Sequence, residues 1–432
     1  MAGSRAVADA ISKSEAFNTF AKIGVLSFGG PAGQIAMMHR VIVGEKKWLT
    51  EQQFLNALSF CMLLPGPEAM QLATYSGWRL HGVIGGLMAG LLFVLPGALV
   101  VLGLALTYAF IGDVPLVSVI FLGVKAAVVV IVIDALIKVS KRALQRLDYW
   151  VLAALAFIGI FFLAIPFPLI IFIAAVYGAL AIGRMDDEAA PAAELVDTRH
   201  TFKTIALWLI IWWVPLLALW AVLPESILAD IGFFFSKLAV VTFGGAYAVL
   251  AYMAQDVVTG FDWLTTGEMM DGLGLAETTP GPLILVTEFV GFLAGFKQGG
   301  VWLGLAAGLV TLWVTFVPCF LWIFAGAPYV EWIASQPRLK GALSGITAAV
   351  VGVILNLTIW FALHVFFAEV ETKDVGLFKV LTPEIVSLDW RVVALSLICC
   401  FLLLVLKRGV LMTLAIACLL AVALHFGQGY SV

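Results

Sequence analysis

Apolar residues run along this chain in blocks too long for strands and too continuous for helices with one wet face. Blocks able to cross a bilayer need about 20 residues. They stand at roughly 17–39, 55–78, 83–111, 115–139, 149–165, 167–183, 203–223, 227–254, 268–295, 300–326, 341–367, 390–406 and 410–427. The pattern predicts an all-α polytopic membrane protein of about 13 spans, or 10–13 because the pairs 149–165/167–183 and 390–406/410–427 are short. The spans 55–78 and 268–295 are each interrupted by Pro-Gly-Pro. One polar stretch, Gly183–His200, is charged, rich in Ala and Pro, and lacks an apolar face. It divides the chain into an N-terminal repeat (1–183), a cytoplasmic linker (184–202) and a C-terminal repeat (203–432) with one extra leading span at 203–223. Glu369–Asp389 reads as a second, acidic loop.

Composition agrees with that pattern. Hydrophobic residues make up 63% and charged residues only 12%, about half the charged share of a soluble domain, so the apolar excess must face lipid. A formal charge of −3 excludes a basic nucleic-acid binder. Cys61, Cys319, Cys399, Cys400 and Cys418 lie inside apolar runs without metal-ligand spacing, so neither a disulfide frame nor a metal site nor a cofactor is expected. Residues 1–16 are polar and carry no cleavable signal pattern. Lys and Arg favour a cytoplasmic N-terminus by two to one, although Arg40, Lys46 and Lys47 fall on the outer side in that arrangement.

An internal duplication is the strongest feature. Shifted by 215 residues, Phe20–Pro67 overlays Phe235–Pro282 without a gap and with 16 identities in about 48 positions. Lys22 meets Lys237, Ser27-Phe28-Gly29-Gly30 meets Thr242-Phe243-Gly244-Gly245, Trp48-Leu49-Thr50 meets Trp263-Leu264-Thr265, and Pro65-Gly66-Pro67 meets Pro280-Gly281-Pro282. Further on the shift is 222, with Pro96 on Pro318, Gly123 on Gly345 and Asp134 on Asn356. Shared hydrophobicity aligns Val with Val; it does not align Lys, Trp, Gly and Pro. About seven spans, an odd number, separate the copies, so two homologous repeats in inverted topology are expected. That is a common construction of secondary transporters, with the site at the midplane.

The duplicated motifs break helices where lipid demands a satisfied backbone. Proline lacks an N–H and glycine permits tight turns. A restarting half-helix presents amide donors and a positive dipole end, which suits an anion. Candidate substrate-binding groups around the breaks are Lys22, Ser27, Gly29, Gly30, Pro65, Gly66, Pro67, Gln71, Lys237, Thr242, Gly244, Gly245, Thr278, Thr279 and Gly281, with Lys125 deeper in its span. Intramembrane lysines mark substrates or partners, yet Lys22 and Lys237 lie near enough to span ends to snorkel instead. Lys125 is nine residues from Asp134, too far for an i,i+4 pair, and is open to a structural ion pair elsewhere. Glu68, Asp271, Glu277 and Glu288 are candidate proton carriers; Glu68 at a helix start also reads as a simple cap. Clusters such as Trp208, Trp212 and Trp213 read as interfacial anchors, and Gly85-Gly86 with Gly90 as close helix packing. No nucleotide-binding loop or nucleophile–base constellation appears, so an enzyme is not expected.

Phe20–Pro31, Trp48-Leu49, Leu64–Tyr75 (LPGPEAMQLATY), Phe243–Tyr247 and Leu275–Pro282 together resemble the chromate ion transporter family in its long, two-domain form. The resemblance covers nearly the whole chain. It implies a carrier that exports chromate across a bacterial inner membrane and confers resistance, driven by membrane potential or ion gradients. A sulfate or other oxyanion importer and a passive anion channel stay open as alternatives, because sulfate and chromate are near-isosteric dianions. Expected partners are the oxyanion, membrane lipid and, in an oligomer, a second copy as a homodimer.

Overall fold

The computed structural model describes residues 11–28, 30–112, 114–182, 198–243, 246–376 and 378–427. The chain is helical nearly throughout. Among the described residues, six helical stretches are long and apolar enough to cross a membrane: Glu68–Ile111, Pro115–Ala143, Arg199–Val222, Leu283–Tyr329, Pro337–Phe366 and Val410–Gly427. Leu147–Phe161, Phe167–Ala181 and Trp390–Val405 are shorter apolar helices. The protein is a multi-pass helical membrane protein.

The repeat reappears as a repeated order of elements. The first series is α1 (Lys13–Val25), α2 (Gly30–Met38, continuing into a π-helical turn, His39–Glu45), α3 (Glu51–Leu63), α4 (Glu68–Ile111), α5 (Pro115–Ala143), α6 (Leu147–Phe161) and α7 (Phe167–Tyr177). After α8 (Thr198–Val222) comes the second: α9 (Ile227–Val241), α10 (Ala246–Gln255, with a π turn Asp256–Gly260), α11 (Thr266–Thr278) and α12 (Val286–Gly326). It continues, past the short α13 (Val330–Ser335), with α14 (Pro337–Phe366), α15 (Trp390–Cys400) and α16 (Val410–Gly427). Irregularities repeat as well. Lys47 and Asp262 both take left-handed backbone, φ 53° and 52°, and so do Ala164 and Lys407, φ 50° and 52°. Thr50 and Thr265 each cap the next helix: the Thr50 hydroxyl accepts the Gln53 N–H, and the Thr265 hydroxyl the Glu268 N–H. The side chains of Gln53 and Glu268 in turn accept the threonine amides, so the duplicated Trp-Leu-Thr is a helix-start signal.

α4 and α12 are each two helices joined across a sharp turn, at His81-Gly82 and Gly299-Gly300. The two legs pack on one another through small residues, Gly77 against Ala89 in the first and Gly295 against Ala307 in the second. With no hydrophobic drive between helices in lipid, such backbone-close packing supplies much of the association energy. Gly85, Gly86 and Gly90 serve this purpose, as the sequence suggested.

The helices gather into two compact units that do not follow the halves of the repeat. One comprises Met1–Ala105, Gly183–Ala246 and Thr279–Lys340; the other comprises Leu106–Ile182, Tyr247–Thr278 and Gly341–Val432. Each therefore draws segments from both copies. In the first, α8 packs along α9 and α12. There Trp208 and Trp212 are buried: Trp208 stacks on Phe320 at 5.7 Å and Trp212 donates to the Ser236 hydroxyl at 3.1 Å. These two tryptophans are helix-packing groups and not the interfacial anchors that their spacing suggested. In the second unit α5 is the hub, packed by α11, α15 and α16.

The segment read as an acidic loop is partly a β-hairpin, β1 (Val370–Val375) paired antiparallel with β2 (Phe378–Pro383). Most of the linker, 184–197, lies outside the described residues.

Candidate functional site

In the first compact unit the two breaks meet and exchange hydrogen bonds. α1 ends at Val25, and the Ser27 hydroxyl turns back to donate to the Ile23 carbonyl at 2.6 Å. α9 ends the same way, with the Thr242 hydroxyl donating to the Leu238 carbonyl at 2.6 Å. That leaves each residue's own carbonyl to an outside donor. The Gly281 N–H donates to the Ser27 carbonyl, and the Gly66 N–H to the Thr242 carbonyl, both at 2.8 Å. Ser27 corresponds to Thr242 and Gly66 to Gly281, so the exchange is reciprocal: each copy's Pro-Gly-Pro is held by the other copy's helix end.

Local chemistry explains why the chain turns here. Leu64 precedes a proline and is extended, φ −90° and ψ 148°. Gly66 and Gly281 sit at φ 118° and 87°, which a side chain rarely adopts. The Gln71 amide donates to the Pro65 carbonyl at 2.7 Å. Backbone groups freed by the break are thus satisfied inside the protein, as a low-dielectric surrounding demands.

Gln34, which sequence reasoning missed, joins this junction. Its amide nitrogen donates to the Gly281 carbonyl at 2.6 Å and more weakly to the Ser27 carbonyl at 3.3 Å. The equivalent residue in the second copy is Val249; a polar residue set just after a break against an apolar counterpart was the available signal. Pro31, Gln34, Pro67, Glu68, Thr242 and Pro282 line a hollow of about 10 Å³ at the junction. That is room for about one water and too little for a tetrahedral oxyanion. Glu68 begins α4. Glu288, in the first turn of α12, is 1% exposed, and its Oε2 has no hydrogen-bond partner within the protein.

The lysines divide. Lys22 lies on the exposed face of α1 and lines a wider hollow of about 520 Å³ together with Ser12, Glu15, Asn18, Glu45 and Lys46. Lys46 is tied to Glu15 at 2.7 Å; no ion pair among the described residues engages Lys22. Lys237 is also exposed. Gly30 is left-handed at φ 70°. Gly29, Gly244 and Gly245 lie outside the described residues.

The remaining candidates fall in the second unit, apart from Thr279, which is buried in the first. Lys125 makes an ion pair with Asp271 at 3.0 Å, which answers the question its distance from Asp134 raised; Asp134 holds Lys138 at 2.6 Å. Asp271 Oδ1 makes no hydrogen bond of good geometry, but at 3.0 Å the Coulomb contact with the ammonium stands. Tyr108 donates to Asp271 Oδ2 at 2.8 Å, and Tyr247 donates to Glu277 at 2.8 Å. Thr278 donates to the Leu275 carbonyl at 2.7 Å. Among the described residues no group of three His, Cys, Asp or Glu side chains could hold a metal.

Broken helices braced copy against copy, with polar groups beside the breaks, are features of carriers. Comparison with known sequences decides which carriers. The profile of the chromate transporter family matches residues 14–179 and 229–423. The chain belongs to this family. A chromate transport protein of Pseudomonas aeruginosa is 33% identical over 83% of this chain and 83% of its own. One from Cupriavidus metallidurans is 31% identical over 79% and 81%. An uncharacterised transporter of Bacillus subtilis matches at 31% identity over 37% of this chain but 82% of its own length. A relative can therefore be about half as long, which fits duplication of a shorter ancestor. No solved structure matches the chain.

Proposed function

We propose that the protein is a secondary carrier that exports chromate from the bacterial cytoplasm across the inner membrane and thereby confers resistance. Its two repeats are inverted, its N-terminus is cytoplasmic, and the oxyanion crosses where the two breaks meet. The observation that carries this reading is the reciprocal bond pair, Gly66 to Thr242 and Gly281 to Ser27. It makes the junction a two-sided latch that neither copy closes alone. A hollow of about 10 Å³ at the latch and one of about 520 Å³ beside Lys22 fit a shut gate with a wet vestibule. Opening the latch would free the glycine amides and the first amides of α4, which are donors suited to four acceptor oxygens. Lys22 and Lys237 draw the dianion in.

Direction follows from charge. An inside-negative potential of 100 mV favours exit of a dianion by about 4.6 kcal/mol, twice the 2.3 per charge, whereas uptake must overcome it.

The test is flux of radiolabelled chromate from proteoliposomes at clamped potential. The expected result is saturable efflux, steeper with the donor side negative, weakened by sulfate competition and strongly reduced in Lys22→Ala/Lys237→Ala. Sulfate moving faster than chromate would instead assign the site to sulfate. Unitary currents far above carrier turnover would make it a channel.

A further inference from the structure

The second compact unit contains a charge pair that the repeat does not duplicate. Lys125 on α5 meets Asp271 on α11 at 3.0 Å, and Tyr108, near the end of α4, donates to the other carboxylate oxygen at 2.8 Å. The equivalent residues in the opposite copies are Asn56 for Asp271 and Thr347 for Lys125. Both positions thus have neutral counterparts within the same protein. Buried ion pairs are a poor source of stability, because desolvation offsets most of the attraction. Charges kept inside an apolar bundle point to a task.

The pair is lopsided. The Asp271 side chain is 9% exposed and that of Lys125 22%. Beside the ammonium lies Gly267, where even an added Cβ would come no closer than 3.9 Å. An ammonium has three donors, and Asp271 meets it through a single oxygen, by charge. Asp271, by contrast, is contacted on both oxygens, by the ammonium's charge on Oδ1 and by the Tyr108 hydroxyl on Oδ2.

We propose that Lys125, Asp271 and Tyr108 form an exchange switch in which the oxyanion takes Lys125 from Asp271 and the released carboxylate takes up a proton. This rests on the transport reading and extends it by naming the coupling ion and the group that carries it. The balance is simple. A proton from water forms an O–H bond on Asp271, Lys125 stays an ammonium, and Tyr108 keeps its hydrogen. A loaded site then has one net negative charge; without the proton it would have two, and charge in the bilayer is costly. Binding of oxyanion and of proton each favours the other, and by linkage to the same degree.

Other titratable groups stand on the packed elements, and the carboxylates among them have partners of their own. On α11, Glu268 accepts the Thr265 N–H at 2.6 Å and Glu277 accepts Tyr247 at 2.8 Å. On α5, Asp134 holds Lys138 at 2.6 Å. Lys141 and Arg142 stand in the last turn of α5; α16, packed on both helices, contributes Cys418 and His425, and α15, packed on α5, contributes Cys399, Cys400 and Arg391, the last paired with Asp389 at 2.9 Å. Among the described residues of this unit, Asp271 is the carboxylate joined to a lysine of another helix.

The experiment measures binding and proteoliposome efflux of radiolabelled chromate by the full chain, from mildly acid to mildly alkaline pH. Chromate's own protonation is common to every variant, so the variants are read against wild type. Wild-type affinity should strengthen toward acid by about tenfold more than that of Asp271→Asn. Tyr108→Phe should keep the coupling but move its midpoint up by about one pH unit, because the carboxylate loses a donor. A wild-type pH profile in Asp271→Asn would overturn the switch. So would restoration of wild-type flux and profile by Lys125→Met with Asp271→Asn, the signature of a mere brace. If Asp271→Asn does not fold, an unmoved midpoint in Tyr108→Phe overturns it equally. Saturable but uncoupled flux defeats the switch and leaves the transport reading standing; no chromate movement in wild type at any pH defeats both.

Discussion

At Pro65–Pro67 and Pro280–Pro282 the two copies build the same break, yet the helices leading into those breaks carry different chemistry. α3 brings Asn56 and Met62; α11 brings Asp271 and Glu277 at the equivalent positions. The backbone is shared and the charge is one-sided. Motif residues explain the sharing: proline, positive-φ glycine and a Ser or Thr that bonds back four residues fix the chain path whatever surrounds it. Charge obeys no such local rule. Asp271 and Glu277 face neutral counterparts in the first copy, as Lys125 does in the second, so a symmetric scaffold can carry an asymmetric load. A gate needs two matching faces; a coupling group is needed once.

The comparison breaks most visibly at the charged positions. Asp271→Asn leaves the Lys125 ammonium without its counter-ion and should cost about 3–5 kcal/mol, read as a large fall in thermal midpoint in detergent. Asn56→Ala, at the equivalent place, should cost under about 1 kcal/mol. Equal losses would mean that the two helices bear equal loads. Next come the glycines of the breaks. A Cβ at Gly66 would lie 2.8 Å from the Cys319 sulfur and 2.9 Å from the Gln71 amide nitrogen, while one at Gly281 meets nothing closer than the end of Leu285 at 3.0 Å. Gly66→Ala should therefore cost about 3 kcal/mol, from backbone strain plus steric overlap, and Gly281→Ala less, from strain with little overlap. Matching losses would show that strain alone matters.

The smallest effect lies outside the spans. Burial alone would raise the Asp389 carboxyl, but hydrogen bonds from Arg391, at 2.9 and 3.0 Å, outweigh it and hold the carboxyl below its ordinary value. A depressed carboxyl stabilises the fold above its unfolded pKa, and that contribution is lost as pH falls through the folded one. Wild type should lose about 0.5 kcal/mol, discounted for exposure, below the ordinary value of 3.8 relative to Asp389→Asn. Parallel midpoints across that range would remove the pair from the account.

Much of this was legible in the residues. The membrane class, the duplication and the position of each break follow from apolar run length and from Pro and Gly, which act on their own backbone. Less legible were interactions between distant positions. Nothing beside Lys125 points to Asp271, 146 residues on; the available sign was that both are charged where their counterparts, Thr347 and Asn56, are not. Trp208 and Trp212 have the amphipathic character of interfacial residues, and only packing against α9 and α12 shows them buried. The hairpin at Val370–Pro383 was hidden because charged residues interrupt its alternation.

The claim beneath all of this is that the two copies face opposite sides of the membrane. Lys47 and Asp262, both exposed and both at the same left-handed position after a π turn, mark equivalent points in the two copies. Single cysteines placed there, in a background with the five native cysteines replaced, can be labelled by a membrane-impermeant thiol reagent in intact and then opened cells. Inverted repeats predict that one position labels from outside and the other only after opening. Labelling of both from the same side would contradict the account.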